Sequence, residues 1–350
     1  MTKRKRSSFM LFMVTISIIV LLSACSGGGN DTTSSSKGDG EDQLVWKLNH
    51  IRPNDTRTDI SAKKFAEDVE ASTEGRLKIE IYPNAELGDY QLVQESISMG
   101  EIEMQLASVG TNVDPTLQVA VVPYLVSDWE EAKKLYGKGG VINDYISTQL
   151  EKQNIKLLAV YPQYFGSVFL AKEPNDPQNP DSKKNVKIRV PGMKSFEEFG
   201  KGLGFTVTPL PASEIFTALQ TGVIEGTVGG GTELYYNEYR ELGKYVMPLR
   251  THFEAHYLTV NQDVWNKLAD KDQESVLEIA ASLEESAFKQ AEEEDLKYDE
   301  LIEKEGIEVI DFTEEEIKAY ANKVRKEVWP KIEGQYGDTF QEIKKELGIN

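Results

Sequence analysis

Short apolar runs with strand character alternate with amphipathic helical stretches between residues 44 and 261. Residues 44–48 form a strand-like run, and residues 76–82 alternate apolar and polar side chains strictly. Between them, residues 59–72 carry apolar side chains at helical spacing, from Ile60 to Val69. Because strands and helices that alternate at short spacing pack as helices on a sheet, the pattern predicts an α/β fold with largely parallel sheets.

The same alternation predicts the remaining elements. Helices are expected at 89–99, 128–136, 142–153, 195–203, 213–220 and from about 232, and strands at 104–107, 156–161, 186–190, 206–209, 222–228 and 256–261. Beyond residue 262 the chain is almost wholly helical in pattern, and its runs of charge are interpreted as solvated helix faces. A loop rich in Pro, Asn and Asp at 173–184 separates two units.

The N-terminal residues have the three parts of a secretory signal peptide, which we assign to residues 1–24. Residues 3–6 are basic, residues 9–22 are apolar, and two small residues precede Cys25. The apolar run is shorter than the roughly 20 residues that span a bilayer, so a permanent membrane helix is the weaker interpretation. The cleavage sequence resembles the bacterial lipobox, in which the cysteine thiol receives a diacylglyceryl group. An ordinary signal peptide with an incidental or core cysteine is the alternative.

A flexible tether is predicted to follow the lipid-modified cysteine. Residues 25–43 are Ser, Gly, Thr, Asp and Asn with few other residues and no large apolar side chain. Such a segment cannot bury enough surface to offset the entropy of ordering. The sequence therefore predicts a protein body anchored to the cell membrane by lipid and facing outside the cytoplasm.

Composition limits both the stabilisation of the fold and its partners. Cys25 is the only cysteine, so no intrachain disulfide forms and the fold depends on its hydrophobic core. The formal net charge is −19 and becomes more negative once the basic signal is removed. Such a surface repels nucleic acid and anionic lipid, which argues against either as a direct partner of the body.

Catalytic and metal-binding motifs are not recognisable. His252 and His256 have the spacing of a helical zinc pair, but Glu254 lies midway between them, where neither zinc-protease pattern has it, and the segment runs into a strand-like sequence. There is no Gly-x-Ser-x-Gly elbow, and no reactive thiol remains after lipidation of Cys25. The sequence therefore predicts no enzyme, no metal and no cofactor.

Three glycines, Gly229, Gly230 and Gly231, lie between a predicted strand and a predicted helix. The Lys-Ser/Thr ending of a P-loop is missing, which argues against a nucleotide. Exposed backbone N–H groups before a helix favour an anion, and a tight turn is an equally good interpretation.

Arg189 is the residue that points most directly to a binding site. Lys187 and Arg189 share one face of the strand 186–190, and Pro191 and Gly192 end that strand. Ligands bind at the carboxyl edge of open α/β sheets, and a guanidinium there can hold a carboxylate through two parallel hydrogen bonds. From the residues alone, an exposed strand arginine without a ligand remains the alternative.

The order of motifs from about Val45 to the C-terminus is similar to that of a known family. The matching segments are 65–69, 75–79, 82–83, 87–88, 186–191 and the long, specific segment 214–226. They resemble the DctP family, the extracytoplasmic solute receptors of tripartite ATP-independent periplasmic (TRAP) transporters. The resemblance implies a periplasmic-binding-protein-like, two-lobed clamshell with a long C-terminal hinge helix region, in which each α/β lobe contributes to a site for a small organic acid. It further implies that Arg189 pairs with the ligand carboxylate.

The resemblance also implies lobe boundaries and membrane partners. Lobe I would comprise residues 44–165 with about 255–294, and lobe II about 166–254 with 295–350. The loaded receptor would dock on the small and large membrane subunits of the transporter, which usually move the solute with sodium.

Two departures from the family pattern affect the expected site. Many members carry Asn-Pro after the long motif, where this chain has residues 227–231, and some carry a second arginine near residues 164–166, where this chain has none. A ligand that needs two arginines, such as sialic acid, is therefore not expected, and backbone N–H groups of Gly229 and Gly230 can replace the asparagine. Further candidate ligand contacts, each with ordinary packing as the open alternative, are His50, Arg52, Tyr161, Tyr164, Phe165, Glu214, Phe216, Tyr235 and Tyr236.

Together these features predict an extracytoplasmic solute-binding receptor that captures a small carboxylate and delivers it to a permease. The same clamshell could instead present its ligand to a sensory kinase. A lipid-anchored hydrolase would chemically alter the ligand, and no motif favours it. The identity of the acid cannot be read from the sequence.

Overall fold

The structure, a computed structural model, describes residues 43–349, which form two β-sheets with helices packed around them. Residues 1–42 and residue 350 lie outside the described residues. The predicted signal peptide, Cys25 and all but the last residue of the predicted tether therefore belong to the part that is not described.

The first sheet has five strands in the order β2-β1-β3-β10-β4. β1 pairs in parallel with both β2 and β3, whereas β10 runs antiparallel to β3 and β4. The strand bounds are β1 Leu44–His50, β2 Leu77–Tyr82, β3 Met104–Ala107, β4 Ile155–Phe165 and β10 Phe253–Asn261.

The second sheet has six strands in the order β11-β9-β5-β8-β6-β7. β6 pairs in parallel with β7 and β8, and β5 runs antiparallel to β8 and β9. The strand bounds are β5 Ser167–Leu170, β6 Lys187–Val190, β7 Thr206–Pro209, β8 Gly226–Gly230, β9 Tyr245–Met247 and β11 Glu308–Val309.

The expectation of largely parallel sheets is wrong, because both sheets are mixed. Each sheet with the helices packed on it is called a unit, the first unit containing the five-stranded sheet and the second the six-stranded sheet. Only Gly166 separates β4 in the first sheet from β5 in the second, and β10 returns from the second unit to the first sheet. A strand that enters a sheet from the neighbouring unit needs no crossover helix and can pair antiparallel. The two units are therefore joined through strands, and these strands account for the antiparallel pairs.

Twelve α-helices occur in the described residues. Side chains cap several of them at the first turn, for example Thr56 on the Asp59 amide and Asp89 on the Gln91 amide. The bounds are α1 Arg57–Ser72, α2 Tyr90–Met99, α3 Trp129–Tyr136, α4 Val141–Glu151, α5 Lys194–Gly202, α6 Ile215–Gln220, α7 Thr232–Leu234, α8 Gln262–Trp265, α9 Asp270–Lys304, α10 Glu314–Glu327, α11 Trp329–Ile332 and α12 Asp338–Glu346.

The apolar face predicted for α1 is correct at Phe65 and Val69 but wrong at Ile60. Phe65 and Val69 are buried, whereas Ile60 is 59% exposed. The buried position one residue earlier belongs to Asp59, which bonds to the buried His50. A buried polar pair thus takes the place that the sequence pattern assigned to an apolar contact.

Helix α9 spans 35 residues, or about 50 Å, and packs along both units. It contacts α1 and β4 of the first unit and α7 and β11 of the second. None of the helices in residues 43–349 is both long and apolar enough to cross a membrane.

The C-terminal helices pack on elements of both predicted lobes. The Trp329 indole donates to the Pro123 carbonyl at 3.0 Å, and α10 and α11 contact α5. Helix α12 contacts α4. The assignment of 295–350 to lobe II, like the other lobe boundaries, stays a prediction.

Candidate functional site

A cavity of about 110 Å³ is lined by residues from both units. The first unit contributes α2, the segment after β3 and the start of β10, and the second contributes the end of β6, α5 and β8. The polar and titratable side chains of the lining are Tyr90, Ser108, Thr111, His252, Glu254 and Tyr257.

Arg189 lies beside this cavity on β6, and its side chain is only 6% exposed. Its Nε donates to the Leu210 carbonyl at 2.8 Å and its Nη1 to the Val228 carbonyl at 3.2 Å. No carboxylate of residues 43–349 lies within 4.0 Å of it. Burial lowers the pKa of Arg189 from its usual value, yet an arginine stays protonated at physiological pH. The result is a fixed, buried cation whose charge no described side chain neutralises.

Gly229 connects Arg189 to the cavity. It has φ +101°, and a Cβ added there would lie 2.8 Å from Pro191 Cγ and 3.3 Å from Arg189 Nη1. Since Gly229 also lines the cavity, the guanidinium lies one glycine backbone away from it. Any side chain at residue 229 would be strained and would fill the space between Arg189 and Pro191.

The glycine run forms mainly the end of a strand, whereas the sequence predicted a turn between a strand and a helix. Gly229 and Gly230 belong to strand β8, where Gly230 pairs with Ser167. Gly231 precedes α7, which has only three residues before the π-helix Tyr235–Tyr239. The helical backbone continues without a break from α7 to Tyr239, and the contact of the Gly229 and Gly230 backbone N–H groups with an anion stays a prediction.

Tyr164 and Tyr235 are both buried close to the glycine run. A Cβ at Gly231 would lie 2.5 Å from the Tyr164 ring, and one at Gly230 would lie 3.1 Å from Tyr235. The Tyr235 hydroxyl donates to the Ser167 carbonyl at 2.8 Å, which accounts for its burial. Burial raises the pKa of both tyrosines. Both rings therefore shape the glycine strand, and neither is among the residues that line the cavity.

Three further candidates do not line the cavity. The Phe165 ring packs in the core, with its centroid 5.0 Å from that of Trp129, because neighbouring residues of β4 point to opposite faces. Phe216 is 43% exposed, since Ile215 and other residues form the buried side of α6. Glu214 is exposed at the start of that helix.

His50 and Arg52 are engaged elsewhere. His50 is fully buried, with Nε2 3.2 Å from the Asp59 carboxylate. Arg52, in the loop after β1, forms an ion pair with Glu233 of α7 and thereby joins the two units. Burial is the largest single influence and lowers the pKa of Arg52, but the charge and hydrogen bond of Glu233, together with Tyr164 and Glu294, raise it overall.

Tyr161 and Tyr236 also have protein partners. Tyr161 bonds to Ser61 at 3.0 Å, and its ring lies against the Arg57 guanidinium. The Tyr236 ring centroid lies 5.8 Å from that of Tyr298 on α9. Both therefore contribute to the packing of helices rather than to the cavity.

The histidine pair lies at the start of β10 rather than on a helix. His252 and His256 are four residues apart along extended chain, or about 13 Å, too far to share one metal ion. Burial lowers the pKa of His252 to about 3. Within residues 43–349 there is no group of three potential metal ligands.

Glu254 is the residue that the sequence interpretation missed. Its carboxylate lines the cavity and accepts a hydrogen bond from the Ser108 hydroxyl at 2.6 Å. Burial raises the pKa of Glu254 to about 7, although Ser108 and the charge of Arg52 act in the opposite direction. An acidic residue within the mostly apolar run Phe253 to Val260 is the signal that could have identified Glu254.

Comparison with known proteins places this chain in a family. The family model for bacterial extracellular solute-binding protein, family 7 (DctP), matches residues 48–335. The C4-dicarboxylate-binding periplasmic protein DctP of Rhodobacter capsulatus is 27% identical over 230 residues, which cover 64% of this chain and 67% of that protein.

Two solved structures share the architecture. A TRAP periplasmic solute-binding protein of Haemophilus influenzae with bound L-gulonate is 26% identical, has a TM-score of 0.74, and is matched over 87% of this chain and 99% of that one. One of Roseobacter denitrificans with bound L-galactonate is 25% identical, with a TM-score of 0.69 and coverage of 85% and 99%. The predicted α/β clamshell with its long C-terminal helix is thus confirmed. The chain belongs to the DctP family of bacterial extracellular solute-binding proteins, the solute receptors of TRAP transporters.

Proposed function

We propose that this receptor closes around a small organic acid, holds its carboxylate at Arg189 and delivers it to the small and large membrane subunits of a TRAP transporter. The observation that carries the proposal is the unneutralised guanidinium of Arg189, fixed by two carbonyls beside the cavity. The acids named for the two solved relatives, L-gulonate and L-galactonate, are carboxylates, which agrees with an anion at this position.

The local site must overcome the field of the whole protein. The chain carries a formal charge of −19, which repels an anion at long range. A buried cation attracts a carboxylate more strongly than an exposed one, because the effective dielectric constant falls when water is excluded. A charge-assisted pair with Arg189 is therefore the contribution that can offset the global repulsion.

The ligand itself provides the direct test of the proposal. Purified protein should release a small carboxylic acid on denaturation, which mass spectrometry identifies. Adding the same acid back to the refolded or ligand-stripped protein should raise its melting temperature, since binding to the native state stabilises it. A released molecule without an acidic group, or one that leaves the melting temperature unchanged, would contradict the proposal.

The Arg52–Glu233 ion pair supports a closed arrangement of the two units. Replacing Arg52 by glutamine should favour a more open form and weaken ligand binding by up to about tenfold, on the order of 1.5 kcal/mol for a charged hydrogen bond. Small-angle X-ray scattering would show a larger radius of gyration without ligand. Arg250→Gln, which removes a more exposed pair with Glu314, is the matched control and should change neither quantity. Equal radii of gyration for both variants would argue against a role of the Arg52–Glu233 ion pair in holding the two units closed.

The lipid anchor is a further part of the proposal, supported by the sequence around Cys25. We expect the precursor to accumulate in cells treated with globomycin, because the signal peptidase for lipoproteins is inhibited, and gel mobility reports the change. A Cys25→Ala variant should leave the membrane fraction. A variant that still sediments with membranes, in cells whose wild-type protein shows no mobility shift, would reject the anchor.

A further inference from the structure

The cavity combines a cation beside its wall with a carboxyl group in its wall. Gly229 and Glu254 both line it, and a Cβ added at Gly229 would lie 3.3 Å from Arg189 Nη1. A site for a simple monocarboxylate needs only the first of these groups. The second lies within the same small volume and would repel an anion if nothing compensated its charge.

Glu254 lacks a cationic partner in residues 43–349. Its only hydrogen bond there comes from the neutral Ser108 hydroxyl, to Oε1. No Lys, Arg or His nitrogen of these residues lies within 4.0 Å of the carboxylate. Since buried carboxylates are normally paired or fully hydrogen-bonded, the second oxygen of Glu254 is available to a donor that enters the cavity.

The size of the cavity limits the ligand. A cavity of about 150 Å³ accommodates benzene, which has six carbon atoms. The cavity here measures about 110 Å³, so its occupant in this conformation has no more than about six non-hydrogen atoms. In so small a molecule, a group that reaches Glu254 lies only a few bonds from the carboxylate held at Arg189.

We propose that Glu254 is a specificity-determining residue, which accepts a hydrogen bond from an ammonium group, so that the receptor takes a small zwitterionic amino acid. This inference rests on the proposed function, because the carboxylate of the same ligand is assigned to Arg189. An ammonium group compensates the charge of Glu254, whereas a hydroxyl group donates a hydrogen bond without compensating it and a methylene group does neither. A ligand without the ammonium group binds more weakly, because it leaves the buried carboxylate of Glu254 unpaired.

Calorimetry with a matched set of acids tests this assignment. The set comprises both enantiomers of alanine, both enantiomers of lactate, and propionate, which differ only in the group next to the carboxylate. At pH 8 the wild-type receptor should bind one alanine enantiomer at least tenfold tighter than lactate or propionate. Glu254→Gln, which keeps the acceptor for Ser108, should lose that preference, because alanine loses its charged partner and propionate no longer leaves a buried carboxylate unpaired. Glu315→Gln, at an exposed position on α10, is the control and should behave as wild type.

The pH dependence provides a second readout. The groups that act on Glu254 are Arg52, Ser108 and the tyrosines Tyr90, Tyr136, Tyr164 and Tyr257. Burial raises the pKa of each of these tyrosines, so they stay neutral between pH 6 and 8. Burial lowers the pKa of the histidines at 50, 252 and 256 below the usual value of about 6.5, so these side chains are mainly neutral above that pH.

Glu254, with a pKa of about 7 in the middle of the range from pH 6 to pH 8, is the group of this set whose charge changes most. Alanine affinity should therefore rise about tenfold from pH 6 to pH 8 in the wild type and stay flat in Glu254→Gln. An affinity that falls as the pH rises would mean that Glu254 is a protonated donor to a second ligand carboxylate, which would overturn the proposal.

The outcomes separate the inference from the proposed function. If the wild type binds lactate or propionate as tightly as alanine, and Arg189→Lys abolishes binding of all three, the role of Glu254 is wrong and the carboxylate site stands. If no acid of the set binds, the inference is wrong, and the carboxylate site then depends on the acid that the protein releases on denaturation. If Arg189→Lys binds the acids of the set unchanged, both the inference and the carboxylate site are wrong.

Discussion

Replacing Arg189 by lysine is expected to weaken binding of the acid ligand by at least about a hundredfold, or on the order of 3 kcal/mol. The guanidinium uses Nε and Nη1 to bond to Leu210 and Val228 and still has donors for a ligand. A lysine ammonium has three donors at a single point and cannot occupy both carbonyls and a carboxylate in the same geometry. Calorimetry on the ligand identified by mass spectrometry measures the change.

A second arginine provides the control for this experiment. Arg250 is partly exposed and pairs with Glu314, so Arg250→Lys should leave the affinity unchanged. Circular dichroism should show that both variants are folded. A lysine at residue 189 that binds the ligand as tightly as the parent would remove the basis for the carboxylate site.

Most elements of the fold could be predicted from local sequence, whereas their pairing could not. The strands Met104–Ala107 and Thr206–Pro209 have the predicted bounds, and most helices begin within two residues of prediction. Helix starts are local events set by a capping side chain, such as Asp128 before α3. The partner of a strand is set by distant residues, and this is why the antiparallel position of β10 in the first sheet was missed.

In the candidate site, too, the local features could be predicted from the sequence and the contacts with distant residues could not. The place of Arg189 at the end of a strand followed from Pro191 and Gly192, which are its neighbours in sequence. Its burial could not be predicted, because the carbonyls that hold it belong to Leu210 and Val228. Phe165 and Phe216 are predicted as ligand contacts because they are aromatic residues near family motifs. The direction of an aromatic side chain depends on its strand register or helix face, and in both residues the side chain points away from the cavity.

Replacing Gly166 by alanine is expected to destabilise the protein by about 1–3 kcal/mol, the typical range for overpacking. Gly166 is the single residue between β4 and β5, where the chain passes from one sheet to the other. Its amide donates to the His252 carbonyl at 2.8 Å, and its carbonyl accepts from the Thr251 amide at 2.7 Å. An added Cβ would lie 2.2 Å from the His252 ring and 2.6 Å from Thr251 Oγ1.

The His252 ring, which the added Cβ at residue 166 would displace, connects this substitution to ligand binding. His252 is buried, packs edge-on against Phe196 with ring centroids 5.0 Å apart, and lines the same cavity as Glu254. Gly166→Ala should therefore lower both the melting temperature and the ligand affinity. Gly192→Ala is the matched control, because nothing lies within 4 Å of its added Cβ. If thermal denaturation and calorimetry gave the same values for both alanine variants, the close packing of the two sheet-joining segments around His252 would not contribute to stability or to the shape of the cavity.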